Sequence, residues 1–103
     1  QGLRALEEGF IPPVLDESIL DGRIVVESRT SFAMVKELME KEAIFAGISA
    51  GAVIRVAIKV AERLESGNVV ALLADGGWKY LSTSLWTMDC GVPHEEVQGK
   101  IWW

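Results

Sequence analysis

The sequence predicts an α/β fold, a fragment of an open, mostly parallel sheet with flanking helices, and three observations carry that expectation. Short β-branched runs alternate with amphipathic ones along the chain. Val69-Val70-Ala71-Leu72-Leu73-Ala74 is apolar without alternation, the pattern of a strand covered on both faces. Gly- and Ser-containing turns mark the changeovers between the two kinds of run. With 103 residues the chain is long enough for one domain, and its 50% apolar and 24% charged content is ordinary globular usage, which argues against disorder, a collagen-like repeat or a coiled coil.

The elements follow in order. Residues 1–22 contain Gly9, Pro12, Pro13 and Gly22 and read as an irregular lead-in with a short helical turn around Leu3 to Glu8. Arg23-Ile24-Val25-Val26-Glu27-Ser28 is brief and β-branched, as a strand is, and Thr30 or Ser31 after it suits a helix N-cap. From there Phe32, Val35, Leu38 and Met39 fall on one helical face, while Lys36, Glu37, Glu40 and Lys41 turn to water. Ile44-Phe45-Ala46-Gly47-Ile48-Ser49-Ala50-Gly51-Ala52 runs from apolar residues into a Gly/Ser turn, and Val53 to Leu64 gives a second helical pattern. Small residues dominate its start and Arg55, Lys59, Glu62 and Arg63 come only later, so its first turns are expected to be buried. Ser66-Gly67-Asn68 stops it, the apolar strand follows, and Asp75-Gly76-Gly77 turns the chain. Trp78 to Trp86 is aromatic-rich without a resolved period. The stretch from Asp89 to Gly99 is polar, but Ile101-Trp102-Trp103 calls for cover.

Ten basic against fifteen acidic residues give a charge of −5 with no Lys/Arg cluster, so nucleic acid is not the expected partner. No run approaches the roughly 18 apolar residues of a membrane span, so no membrane partner is expected. The single Cys90 excludes an intramolecular disulfide and fits a reducing, cytoplasmic setting. Gln1-Gly2-Leu3-Arg4 lacks an initiator Met and any signal design, which leads to the expectation of a piece cut from something longer.

The most informative local feature is Gly47-Ile48-Ser49-Ala50-Gly51. Its glycines permit close approach to the backbone, and its place before a helix aims free N–H groups and the positive dipole end at whatever sits there. Two readings stay open: Ser49 caps the helix while the glycines allow tight packing, or the turn is a ligand site that is neither a Rossmann nor a P-loop pattern. Asp75-Gly76-Gly77 occupies the carboxyl end of an expected strand, where α/β sheets bind ligands, or is an ordinary turn. His94 has no second His and no clustered Cys, so neither a metal site nor a Ser/His/Asp triad is expected. Lys79 between aromatics is assigned no chemistry.

Three stretches taken together resemble one family: Glu8-Gly9-Phe10-Ile11-Pro12-Pro13-Val14-Leu15-Asp16, then Ile44-Phe45-Ala46-Gly47-Ile48-Ser49-Ala50-Gly51-Ala52, then Trp78-Lys79-Tyr80-Leu81-Ser82-Thr83. They look like the C-terminal part of a cysteine synthase, a pyridoxal-phosphate enzyme of the tryptophan-synthase-β class. Ala74-Asp75-Gly76-Gly77-Trp78-Lys79-Tyr80 and the tail Gln98-Gly99-Lys100-Ile101-Trp102 are similar to the O-phosphoserine sulfhydrylase subgroup. The likeness spans nearly all of residues 1–103 as one incomplete portion of the fold-type II architecture.

The resemblance implies β-replacement on O-phosphoserine or O-acetylserine with a sulfur donor to give cysteine, with a homodimer as the complete assembly. It places Ser49 against the cofactor's pyridine nitrogen, with Gly47 beside it, and Arg4 on the substrate phosphate, where a guanidinium suits a dianion. Ile101 and Trp102 fall in a segment that can act as a lid; packing on the domain's own surface is the other reading. The family's Schiff-base lysine, its substrate loop and its phosphate cup all belong upstream of residue 1, so no catalytic residue is assigned here and the isolated chain is expected to be inactive. Two alternatives stand beside this: a non-catalytic α/β remnant that self-associates as an assembly or interaction module, and a portion of an enzyme similar to cystathionine β-synthase.

Overall fold

The computed structural model describes residues 11–87 and 98–101. A 3-10 turn at Glu17–Ile19 leads to strand β1 (Gly22–Val25), helix α1 (Ser28–Glu42), helix α2 (Ile48–Ala61), 3-10 turns at Gly77–Tyr80 and Ser84–Trp86, and strand β2 (Gln98–Ile101). The lead-in is organised by Asp16, whose carboxylate accepts from the backbone N–H and the hydroxyl of Ser18, and by an Arg23–Glu17 ion pair that ties β1 back to it.

The expected strand at Arg23 forms as β1, with half-buried and exposed side chains alternating along it. Its partner is the tail: β1 and β2 run antiparallel with Gly22 opposite Ile101, Arg23 opposite Lys100, Ile24 opposite Gly99 and Val25 opposite Gln98. Sequence pattern does not foretell this pairing, because Gln98-Gly99-Lys100-Ile101 carries no hydrophobic alternation.

Helix α1 begins earlier than its hydroxyl residues suggest. Glu27 is the N-cap in extended conformation, and Thr30 and Ser31, expected at the cap, lie inside the helix and are buried. The reason is tertiary: the Ser31 hydroxyl donates to the carbonyl of Ile48 at the head of α2, a partner that only packing supplies. The buried face is therefore Ser31, Met34, Val35 and Leu38, the i, i+3, i+4, i+7 spacing of a helix stripe. Met39, expected on that face, is 37% exposed, because the stripe is turned towards Met34. The outer face carries a Lys41–Glu37 pair one turn apart. Ala43 closes α1 in the left-handed region at φ 57°, its N–H returning to the Met39 carbonyl.

Helix α2 starts at Ile48 rather than at Val53, and its first four residues, Ile48 to Gly51, are all buried, as their small side chains lead one to expect. They press on α1. A Cβ at Gly51 would lie 1.9 Å from the Ser31 carbonyl oxygen and 2.8 Å from Val35 Cγ2, so the two helices meet at a distance only glycine permits. Leu38, Ala46 and Ala50 form the centre of the core, with Ile54 and Leu73 packed against it, and Val35 is fully buried beside them.

Residues 69–74, expected as a strand in a parallel sheet, form no regular element; among the described residues the pairings are the antiparallel β1–β2 ladder and a single antiparallel bridge between Ala46 and Gly76. A parallel strand needs neighbours on its edges and layers on both faces, and the described residues supply only the contact of Leu73 with the core. Val70 is 93% and Leu72 81% exposed. Among the described residues no helix is long and apolar enough to cross a membrane.

Candidate functional site

Two turns that the sequence presents separately are joined in space. The N–H of Gly47 donates to the Asp75 carbonyl at 3.0 Å and the N–H of Gly77 to the Phe45 carbonyl at 3.1 Å, on either side of the Ala46–Gly76 bridge. The head of α2 and the Asp75-Gly76-Gly77 turn therefore form one unit.

The Asp75 carboxylate is its centre. A Cβ at Gly47 would lie 1.9 Å from Asp75 Oδ1 and 2.9 Å from Tyr80 Cε2, so the absence of a side chain at the helix cap is what lets the carboxylate reach it. Negative charge at a helix N-terminus meets the positive end of the macrodipole, which is favourable. Asp75 Oδ2 accepts from the Tyr80 hydroxyl at 2.9 Å and stands 3.9 Å from Lys79 Nζ, while Oδ1 is buried without a hydrogen-bond partner among the described residues. The hydrogen bond to Asp75 is the main reason the Tyr80 phenol is held above its ordinary value of 10.0, with burial and the Asp75 charge adding to it. Tyr80 is held from its backbone side as well: its carbonyl accepts from Thr83 Oγ1 at 2.6 Å and Trp86 Nε1 at 3.1 Å, and the Trp86 ring lies 5.0 Å from Phe45, tilted by 46°.

An open groove of about 460 Å³ lies beside this unit, lined by residues 44–46 and 73–76 with Trp78 and Lys79. It is an apolar trough with one carboxylate and one ammonium group at its rim.

Of the residues singled out in the sequence, Gly47 is the buried N-cap of α2 and Ser49 is the second residue of the helix, 7% exposed. Because Gly47 occupies the cap, Ser49 does not fill it, and the capping reading gives way. The packing reading of the glycines holds, although the partners are α1 and Asp75 rather than a sheet. Ile101 lies in β2 opposite Gly22. Arg4, Trp102, Cys90 and His94 lie outside the described residues. Sequence reasoning misses Tyr80 as the partner of Asp75, and the available signal is a phenol five residues beyond an acid across a Gly-Gly turn. Among the described residues no group of three or more His, Cys, Asp or Glu could hold a metal ion.

Pyridoxal phosphate, which the resemblance implies, is tested by the same geometry. A neutral hydroxyl at a helix head, unused by capping, has the right chemistry for a pyridine nitrogen. The groove, however, does not include Gly47 or Ser49. Ser49 and Gly47 thus stand at the head of α2 apart from the lining of this groove.

No family model matches the sequence. The chain is similar to the cysteine synthase of Aquifex aeolicus, 38% identical over 91 residues that make up 84% of this chain and 28% of that protein. The crystal structure of the cysteine synthase of Entamoeba histolytica superposes with a TM-score of 0.72 at 29% identity, over 78% of this chain and 24% of that one. That of an O-ureido-L-serine synthase superposes with a TM-score of 0.73 at 39% identity, over 93% of this chain and 29% of that one. The fold class is thus α/β, a portion of the fold of that cysteine synthase and that O-ureido-L-serine synthase. The chain spans less than a third of the length of the relatives it matches.

Proposed function

We propose that the chain is the portion of a pyridoxal-phosphate-dependent cysteine synthase that carries the turn facing the cofactor ring, in an enzyme that converts O-phosphoserine or O-acetylserine to cysteine with a sulfur donor. The observation supporting it is the Gly47-Ile48-Ser49 turn at the head of α2, buried, with its serine released from capping and its backbone tied to the 75–77 turn. When bound, the cofactor supplies an electron sink for β-replacement. Ser49 would offer its ring nitrogen a neutral hydrogen-bonding group, and the positive end of the α2 dipole disfavours a protonated nitrogen there. Gly47, without a side chain, lets Asp75 brace the turn from the other side. In this reading Arg4 selects the phosphorylated donor, the assembled enzyme is a homodimer, and the Schiff-base lysine is contributed from outside these residues. A lid role for Ile101 and Trp102 requires β2 to leave β1. The exposed Val70 and Leu72 favour a second reading, an assembly module in which that surface is covered by another chain.

Grafting the chain in place of the matched segment of the Aquifex aeolicus enzyme tests the proposal. The graft should make cysteine, while the isolated chain with added cofactor makes none. Arg4→Ala in the graft should lower use of O-phosphoserine about tenfold more than use of O-acetylserine. Equal losses with both donors remove the O-phosphoserine preference, and a folded but inactive graft removes the enzyme reading.

A further inference from the structure

The Asp75 side chain is only 18% exposed, and its Oδ1 is buried and accepts no hydrogen bond among the described residues, which is unfavourable for a carboxylate oxygen. Groups left in that condition cluster where a protein serves something besides its own stability. The contacts of the carboxylate say what is served. Oδ1 lies 1.9 Å from the point a Cβ at Gly47 would take, and Tyr80 Cε2 lies 2.9 Å from the same point. Gly47 is the N-cap of α2, and Ser49 follows two residues later, buried.

The acid is fixed from several sides. The Tyr80 hydroxyl donates to Oδ2 at 2.9 Å, Lys79 Nζ stands 3.9 Å from the same oxygen, and the Gly47 N–H donates to the Asp75 carbonyl at 3.0 Å. Its charge is attracted by the positive end of the α2 dipole, an attraction that a neutral residue of the same shape lacks. An asparagine there that kept its oxygen on Tyr80 would turn N–H groups towards a helix end that already presents N–H groups.

We infer that Asp75 is a positioning residue for Ser49: its charge, locked by Tyr80, seats the head of α2 at Gly47 and so holds the serine hydroxyl where it meets the cofactor ring. The inference rests on the proposed function and adds to it a residue that acts through another. The Ala50 N–H is bonded back to the Gly47 carbonyl at 3.1 Å, so a shift of the cap carries Ser49 with it, and a binding group works only within about 0.5 Å of its productive place.

The test uses the graft of this chain into the Aquifex aeolicus enzyme and reads the affinity of the cofactor-free protein for pyridoxal phosphate by fluorescence titration. Asp75→Asn and Ser49→Ala should each weaken binding about tenfold, and Tyr80→Phe about threefold. In the Ser49→Ala background Asp75→Asn should add less than about twofold, because the hydroxyl it positions is gone. In the 103-residue chain itself, Asp75→Asn should speed hydrogen exchange at the Gly47 and Ala50 amides about tenfold and leave those of Ala57 to Lys59, deeper in α2, within about twofold. Equal weakening by Asp75→Asn with and without the serine hydroxyl overturns the inference, as does uniform loosening of α2 or unchanged exchange at Gly47 and Ala50; if the graft does not fold, the exchange pattern decides. Failure of the proposed function reads differently. A folded parent graft that takes up no cofactor, or Ser49→Ala without effect on its affinity, removes that reading and the inference with it, whereas a loss with Ser49→Ala but none with Asp75→Asn removes the inference alone.

Discussion

The first turn of α2 and residues 69–74 are both short, uncharged stretches of small and apolar residues, yet the structure treats them oppositely. Ile48, Ser49, Ala50 and Gly51 are buried against α1, whereas Val70 and Leu72 stand almost fully in water. The difference lies in what the chain itself provides. Helix α1 borders the same core and brings Ser31 and Val35 to within reach of Gly51, while the described residues bring nothing but the core edge to Leu73. An apolar pattern states that cover is needed; it does not state who supplies it.

The comparison breaks most severely if the close helix contact is removed. Gly51→Val drives a side chain into the Ser31 carbonyl and should destabilise the chain by about 3 kcal/mol or more, seen as loss of cooperative melting by circular dichroism. A fall below about 1 kcal/mol would mean that α1 and α2 are free to separate.

A smaller effect is expected at the join between the α2 head and the 75–77 turn. Tyr80→Phe removes the hydrogen bond to Asp75 and should cost about 1 kcal/mol in denaturant titrations near neutral pH. The folded phenol titrates above the ordinary value of 10.0, so its contribution is complete below that value and is lost as pH rises through the raised one. The stability gap between the parent chain and the Tyr80→Phe variant should therefore close in alkali and stay constant around neutral pH.

The smallest effect sharpens the contrast. Val70→Lys and Leu72→Lys, at positions open to water, should each change the stability of the isolated chain by no more than about 0.5 kcal/mol and should raise its solubility. A loss of about 2 kcal/mol at either position would show that the segment is covered within the chain after all.

What sequence can reveal follows the same division. Elements whose cause is local or nearby are legible: β1 from its β-branched run, α1 from its stripe, and the buried start of α2 from its small residues. The cap of α1 is not, because Ser31 answers to Ile48, seventeen residues on, and not to its own helix end. The Gly47-Ile48-Ser49 turn is visible as a feature, but its bracing by Asp75 and Tyr80 depends on the Ala46–Gly76 bridge, which leaves no periodic trace. The unbroken apolar run of 69–74 announces a demand for cover on two faces, yet Val70 and Leu72 stand exposed.

The β1–β2 ladder joins a segment ahead of the helix pair to one well beyond it. During synthesis β1 leaves the ribosome before α1 and α2, and its ladder partner emerges only once Gln98 to Ile101 has been made, so the helix pair is in place before the ladder can close. A nascent chain arrested ahead of Gln98 should carry a formed α1–α2 unit and an idle β1, which makes the closing of this small sheet a late event in the birth of the molecule.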